Sequence, residues 1–260
     1  MESIRYISDL YKFASEGASA LLNIIFPPRC VVCSDYITIG RNFSDISWLC
    51  DKCIEDVNFI SSPLCSICGI PFPKGGIEED HPCGNCIITP PAFDRAVSVF
   101  VYDGSIIKAI HDFKYGNKSY LSRSFGELLA EKVRKHIHYN EHTSLVIPVP
   151  LSNKRLKHRG YNQSALLAGY LAKKLNIAID YDSLIRIRDT VPQTELKKKE
   201  RMKNLINAFA VNNPNKIKDR KIILVDDVYT TGRTLEECSK TLKKAGVLKV
   251  DCLNIARVEK

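Results

Sequence analysis

Apolar positions along the chain change period several times, and each change marks an element. Ile4, Ile7, Tyr11, Ala14, Ala18, Leu21, Leu22 and Ile25 fall on one helical stripe with near-heptad spacing. The stripe predicts a helix over 1–26, packed on its own protein or on a second copy. The mixed charges of its polar face argue against a membrane surface. Pro27-Pro28 ends it. From Arg95 onward, short β-favouring runs alternate with helical periods. The pattern predicts strands at 95–102, 144–150, 184–187, 222–225 and 250–255. It predicts helices at 105–113, 121–136, 162–175, 195–206 and 235–244, the last with Gly246 as its stop. Alternating strands and helices argue for an α/β fold with a parallel, doubly wound sheet.

Residues 27–91 follow neither period. They are rich in Pro and Gly, poor in long apolar runs, and hold eight of the ten cysteines as four C-x-x-C pairs: Cys30/Cys33, Cys50/Cys53, Cys65/Cys68 and Cys83/Cys86. The first two pairs are separated by 16 residues and the last two by 14. Two such knuckles around a short hairpin place four thiolates about one zinc, so four pairs predict two structural Zn2+ ions. Disulfides fit poorly, since a two-residue gap strains them, and an iron–sulfur cluster is the smaller alternative. Sequential pairing is the simpler arrangement; an interleaved one stays open. His81, near Cys83, is read as a bystander, and Cys238 and Cys252 as small core residues. Metal binding would supply the folding free energy that apolar burial cannot.

Charge divides the chain in the same place. Of 260 residues, the first 93 hold 6 Lys+Arg against 11 Asp+Glu, a balance of −5. The remaining 167 hold 32 against 18, or +14, giving the overall +9. An anionic partner such as nucleic acid therefore belongs with the second half. Eight thiolates against two divalent ions would make the cysteine segment more acidic still. Its contacts are then to protein, or to bases through Trp48, Phe59 or Phe72. No segment has the length of a membrane-spanning helix. Charges at Glu2, Arg5, Asp9, Lys12 and Glu16 interrupt any signal-peptide core, so a cytoplasmic location is expected, with a peripheral place at the inner membrane as the variant.

The densest chemistry lies at 222–237. Four apolar residues run into Asp226-Asp227, then Thr230-Thr231-Gly232-Arg233-Thr234 opens a helix. A strand, a small hydroxyl-rich loop and a helix N-terminus make a phosphate cradle, and open α/β sheets bind ligands at the strands' carboxyl ends. The segment resembles the 5-phosphoribosyl-1-pyrophosphate (PRPP) motif of type I phosphoribosyltransferases. That resemblance implies that Asp226 and Asp227 hold the ribose hydroxyls and Thr230–Thr234 the 5′-phosphate, with Mg2+ bridging ribose and pyrophosphate. Two further segments suit such a ligand. Pro148-Val149-Pro150-Leu151, with Arg159 downstream, would dock pyrophosphate. The polar, cationic stretch with Thr190, Gln193, Lys197, Lys198, Lys199 and Arg201 would form a closing hood or contact a phosphodiester backbone.

Taken in order, Phe26-Pro-Pro-x-Cys30, the C-x-x-C pairs, Phe113-Lys114-Tyr115, Val149-Pro150, Arg159-Gly-Tyr-Asn-Gln163, Thr190-x-x-Gln193 and the Asp226 segment resemble the ComF/ComFC competence protein family in its double-zinc-ribbon form. The resemblance covers about residues 20–257. Behind the N-terminal helix that the stripe predicts (1–26), it implies a double zinc ribbon (27–91) and a phosphoribosyltransferase-like parallel sheet with helices on both faces (92–260). It also implies PRPP and Mg2+ as ligands, handling of single-stranded DNA during uptake, and a DNA-uptake helicase or other competence proteins as partners. The alternatives are a catalytic phosphoribosyltransferase acting on a nucleobase or another small acceptor, and a non-catalytic PRPP sensor.

Overall fold

The computed structural model describes residues 26–37, 46–73, 75–188 and 207–259. The stripe over 4–25 and the basic stretch over 195–206 lie outside the described residues. The chain divides into two compact units, Met1–Asp56 and Val57–Lys260.

In the first unit, an antiparallel bridge joins Arg29 to Tyr36, and α1 (Asp51–Glu55) follows. Val31, Ile46, Trp48 and Leu49 are buried around Cys30, Cys50 and Cys53. This is a small apolar core, as expected of a segment that metal must help to fold.

The second unit opens with a cysteine-rich stretch ending in α2 (Gly84–Ile88). Then come β1 (Arg95–Val101), α3 (Gly104–Tyr115), α4 (Leu121–His136), β2 (Ser144–Pro148), α5 (Asn153–Arg159) and α6 (Gln163–Leu175). After them follow β3 (Ala178–Ile179), β4 (Leu184–Arg186), β5 (Phe209–Val211), α7 (Pro214–Ile217), β6 (Lys221–Tyr229), α8 (Arg233–Lys244) and β7 (Lys249–Arg257). Five strands form one sheet in the order β1-β7-β6-β2-β3, every neighbouring pair parallel. β4 and β5 form a separate antiparallel pair.

Side-chain alternation sorts the two faces of this sheet. Leu145, Ile147, Ile222, Leu224, Val250 and Cys252 share a buried cluster with Leu235, Cys238 and Leu242 of α8 and with Leu184 and Phe209 of the hairpin. α4 and α6 pack on each other, α4 also on β1 and β7, α6 also on β2 and β6. Both faces are thus covered, which is why the central strands read as continuous apolar runs. Ile222, Ile223, Leu224 and Val225 are almost wholly buried, each contributing roughly 1.5–3 kcal/mol by leaving water. Cys238 and Cys252 are fully buried core residues, as expected.

The structure departs from the pattern at its short or polar pieces. β6 runs past Val225 to Tyr229, because β7 stays alongside: Asp226 pairs with Asn254, Val228 with Ala256 and Tyr229 with Arg257. The cationic residues 154–159 lie on a short helix of their own, α5, whose N-cap Ser152 Oγ accepts from Arg155 N–H at 3.4 Å. Strands β3 and β5 and helix α7 are too short to show a period. Gly246 takes φ +88° just beyond the C-cap of α8.

Candidate functional site

Sulfur atoms gather in two sets of four. Cys30, Cys33, Cys50 and Cys53 form one set, and Cys65, Cys68, Cys83 and Cys86 the other; within each set all sulfurs lie within 4.8 Å of one another. The pairing is therefore sequential, and the interleaved alternative falls away. Tetrahedral Zn–S bonds of about 2.3 Å require sulfurs about 3.8 Å apart. Cys68 and Cys83 sulfurs are 3.9 Å apart, and those of Cys33 and Cys50 3.4 Å. Cys65 Sγ accepts from the backbone N–H groups of Cys68 (3.4 Å) and Cys83 (3.2 Å). Burial opposes ionisation of Cys65, yet backbone donors outweigh it and bring the thiol down to about 6. In the first set, burial is likewise outweighed by backbone N–H groups of Cys33, Cys50 and Val32, and Cys30 falls to about 7. Cys68 and Cys86 move the other way, raised by burial, so it is the gathering of four sulfurs in each set that fits Zn2+. His81 takes no part: its ring stacks on Phe72 at 4.3 Å. Trp48 is buried, Phe72 is half-buried with one face on His81, and Phe59 is exposed.

A second concentration of polar groups sits at the carboxyl ends of β6 and β2. Asp227 Oδ1 is 2.9 Å from Lys114 Nζ, delivered by the last turn of α3, and both side chains are largely buried. Asp226 Oδ1 accepts from Ser164 Oγ at 3.0 Å and from the Asp227 backbone N–H at 2.9 Å. Ser164 stands in the first turn of α6, where the N-cap Asn162 Oδ1 takes its backbone N–H at 3.0 Å and Asn162 Nδ2 donates to Val149 O at 3.1 Å. Burial, then the neighbouring Asp227 charge, pushes the Asp226 carboxyl up to about 7. Opposite Asp226 on β7, Asn254 is fully buried with neither amide atom paired among the described residues. Orphaned buried polar groups are rare, and this one stands beside the carboxylates.

Beyond β6 the chain turns through Thr230 and Thr231 to Gly232, which takes φ +73° and caps the twelve-residue helix α8. The turn needs glycine twice over. Its φ disfavours a side chain, and an added Cβ would lie 2.4 Å from Tyr229 Oη. Arg233 and Thr234 form the first turn of α8. Pro148 ends β2 beside Val225, and Val149 N–H donates to Val225 O at 2.9 Å, so residues 148–151 lie next to the acidic pair. Arg159 sits on the rim. Its guanidinium donates to Gln163 Oε1 at 3.0 Å and Tyr115 Oη at 2.8 Å, over the Tyr115 ring. Thr190, Gln193, Lys197, Lys198, Lys199 and Arg201 lie outside the described residues. The structure thus brings together Asp226, Asp227, residues 230–234 and residues 148–151. Lys114 appeared in the sequence only as part of Phe113-Lys114-Tyr115, and Ser164 only as an unremarked position of the helix predicted at 162–175. Asn254 gave no signal at all.

Comparison with known families fixes the class. Residues 21–87 match the double zinc ribbon domain, and residues 162–258 match the phosphoribosyl transferase domain. The chain is 35% identical to Competence protein F of Haemophilus influenzae over 88% of its own length and 96% of that protein's. It is 31% identical to DNA utilization protein YhgH of Escherichia coli strain K12, covering 89% and 97%. It is 26% identical to Competence protein ComFC of Bacillus subtilis, covering 84% and 89%. The chain belongs to the ComF/ComFC competence protein family. Among solved structures it is similar to a purine phosphoribosyltransferase from Pyrococcus horikoshii, with a TM-score of 0.32 and 19% identity over 55% of this chain and 86% of that one. No helix among the described residues is long and apolar enough to cross a membrane.

Proposed function

We propose that this protein binds PRPP with Mg2+ at the Asp226–Asp227 edge and handles single-stranded DNA for competence or DNA utilisation, the roles its relatives' names carry. The observation that carries the reading is the joining of an acidic pair to an αL glycine and a helix N-terminus within one strand–loop–helix unit. Backbone N–H groups at that N-terminus and the Thr230 and Thr231 hydroxyls suit a 5′-phosphate. Asp226 and Asp227, fixed by Ser164 and Lys114, suit two ribose hydroxyls. Mg2+ would arrive with the ligand and neutralise its pyrophosphate. Residues 148–151 and Arg159 flank the place where the pyrophosphate would lie.

The DNA half of the proposal is supported by α5 and its surroundings. Lys154, Arg155, Lys157, His158 and Arg159 follow one another on a helix with no acidic residue and no buried side chain. Beside it, Tyr115 is 49% exposed, its ring 6.3 Å from that of His158. Cations interleaved with half-exposed aromatic rings suit single-stranded nucleic acid. The protein would work in the cytoplasm, where an uptake helicase can deliver the strand. Titration calorimetry tests the first half: zinc-loaded protein binds PRPP·Mg2+, and Asp226→Asn with Asp227→Asn abolishes binding. Retained binding in the double variant overturns the site. Salt-dependent binding of labelled oligonucleotides tests the second half, with Lys154→Glu and Lys157→Glu expected to weaken it.

A second reading is favoured by one detail. A carboxyl held near 7, as Asp226 is, can accept a proton from an acceptor as its bond to the ribose anomeric carbon forms and pyrophosphate leaves with the electrons of the broken C–O bond. Pyrophosphate release that depends on an added nucleobase would select this catalytic reading over binding alone.

A further inference from the structure

The second set of cysteines is joined to the phosphate loop by side chains that neither metal binding nor PRPP binding requires on its own. Cys68, a sulfur ligand, gives its backbone carbonyl to Arg257 Nη1. Arg257 is the last residue of β7 and 4% exposed, and its Nε has no partner among the described residues. Its guanidinium lies over the Tyr229 ring, 4.6 Å from the centroid. Tyr229 ends β6, holds its carbonyl to Val258 N–H at 2.9 Å and presents its ring to Gly232, close enough that a methyl group there would collide with it. Phe93 meets the same ring edge-on at 6.3 Å. Three parts of one molecule are thus in series: a metal knuckle, a buried cation stacked on an aromatic ring, and the αL residue from which the phosphate-binding helix starts.

Two further observations close this route on other sides. Glu236, in the first turn of α8, accepts the Ala92 backbone N–H at 2.8 Å, which ties the exit of the ribbon to the same helix terminus. An open pocket of about 270 Å³ is lined by Cys68, Cys83 and Cys86 together with Tyr229, Thr230 and Thr231. Arg257, held by the Cys68 carbonyl and stacked on Tyr229, bridges the knuckle and the loop beside this pocket. All of these residues belong to the unit Val57–Lys260.

We infer that Arg257 and Tyr229 are positioning residues that couple metal occupancy of the Cys65, Cys68, Cys83 and Cys86 set to ligand affinity at the Thr230–Thr234 loop. The inference rests on the PRPP reading given above. Without metal the Cys65–Cys68 turn is free to relax, the Arg257 anchor is lost, and the ring no longer fixes Gly232. The coupling is a free energy between two sites and must act in both directions. A ligand that orders the loop therefore retains the metal in the second set by the same factor.

The test follows zinc release from the intact, zinc-loaded chain to a chromogenic chelator, with and without saturating PRPP·Mg2+, beside direct measurement of PRPP affinity. PRPP slows release of one of the two ions about tenfold, the middle of the range for coupled sites, and does not slow the other. Arg257→Lys keeps the charge but loses the planar stack and the fork, so it removes the protection and weakens PRPP about tenfold. Tyr229→Phe retains the ring and both effects; Tyr229→Leu loses both. The release measurement on the unaltered chain needs no variant to fold. PRPP that binds while both ions leave at unchanged rates overturns the coupling alone, as does Arg257→Lys with an affinity within about twofold of the parent, well inside the coupling range. No PRPP binding by the zinc-loaded parent overturns the PRPP reading, and the coupling with it.

Discussion

In the first ribbon Ser34 N–H donates to Cys30 O at 2.9 Å, and Cys30 N–H donates to Asp35 O at 2.8 Å. In the second, Gly69 N–H donates to Cys65 O at 2.8 Å, and Cys65 N–H donates to Ile70 O at 2.7 Å. The residue after the second cysteine is left-handed in both, at φ +67° for Ser34 and +71° for Gly69. The two knuckles are the same local object. Their surroundings differ. Cys33 and Ser34 are exposed, whereas Cys65, Cys68 and Cys86 share a buried cluster with Ile222, Leu224 and Leu235. Ile67 O accepts the Ala96 N–H at 2.7 Å, and Ile60 N–H donates to Val99 O at 2.9 Å, so the second ribbon occupies the outer edge of β1. An edge strand is a liability unless it is paired or covered, and this ribbon covers it. The same metal chemistry thus organises the small core of one unit and completes the sheet of the other.

The largest effect expected from this contrast is on stability. Structural zinc contributes about 10–16 kcal/mol in small metal-folded peptides, so losing one ligand removes a large part of the fold's support. Cys83→Ser raises hydrogen exchange through the second ribbon and onward into β1, β7 and α8. Cys33→Ser raises it within the unit ending at Asp56. Equal spread of the two disturbances would break the contrast. PRPP affinity separates them as well, the loss in Cys83→Ser exceeding that in Cys33→Ser by about tenfold, a typical coupling factor.

Next in size is the acidic pair. Asp227→Asn removes a charged acceptor and leaves Lys114 without its partner; charge-assisted hydrogen bonds of about 1.5–3 kcal/mol translate to a roughly 10- to 150-fold loss of PRPP affinity. Calorimetry measures it directly, and a loss under about threefold would remove Asp227 from the site.

Asp226 adds a pH signature of opposite sign for binding and for folding. Its carboxyl is raised to about 7 by burial and by Asp227, above the value near 4 of an unfolded chain. Below about pH 7 the group is protonated and cannot serve as a full acceptor, so affinity falls by up to about tenfold per pH unit. Between about pH 4 and 7 the folded state binds more protons than the unfolded one, so this group's contribution to stability is present at low pH and lost as pH rises through 7. Affinity rising with pH while stability falls, and both slopes flattening in Asp226→Asn, is the expected result. Parallel slopes would assign the titration to another group.

How much of this the sequence could show follows from the range of each interaction. Helices α3, α4, α6 and α8, the apolar core of β6 and the four C-x-x-C pairs depend on neighbours within a few residues, and all were legible. The extension of β6 to Tyr229 was not, because Asp226 and Asp227 break the apolar run while the backbone ladder to Asn254 and Arg257 continues unseen. The acidic pair announced itself. The groups that fix it did not: Ser164 reaches Asp226 across 62 residues, and Lys114 comes from a helix whose pattern marks only its buried face. Least legible was the difference between the ribbons. The repeated C-x-x-C pairs say where metal goes and nothing about what the knuckle packs against.

One position does carry that difference, and exchanging it is the smallest test. Left-handed backbone costs a residue with a side chain roughly 1–2 kcal/mol. Ser34 bears that strain with its side chain exposed, while its backbone N–H is held by Cys30 O at 2.9 Å and its carbonyl by Arg29 Nη1 at 3.2 Å. Ser34→Gly relieves the strain but adds unfolded-state entropy of about 0.5–1 kcal/mol. The balance favours glycine by about 1 kcal/mol at most, so Ser34→Gly should leave the first ribbon's stability unchanged or slightly raised. Gly69→Ser meets the same strain and a second obstacle, because a Cβ at Gly69 would lie 2.5 Å from Ala96 O and 3.8 Å from Arg257 Nη1. Backbone cannot yield as a flexible side chain can, so the ribbon must lift from β1, a displacement worth about 1–3 kcal/mol on the scale of overpacked cores. Since Arg257 sits at the same contact, Gly69→Ser should weaken PRPP along with the fold. If the two exchanges shift stability equally, Gly69 marks only the turn, and the second ribbon's hold on the sheet lies elsewhere.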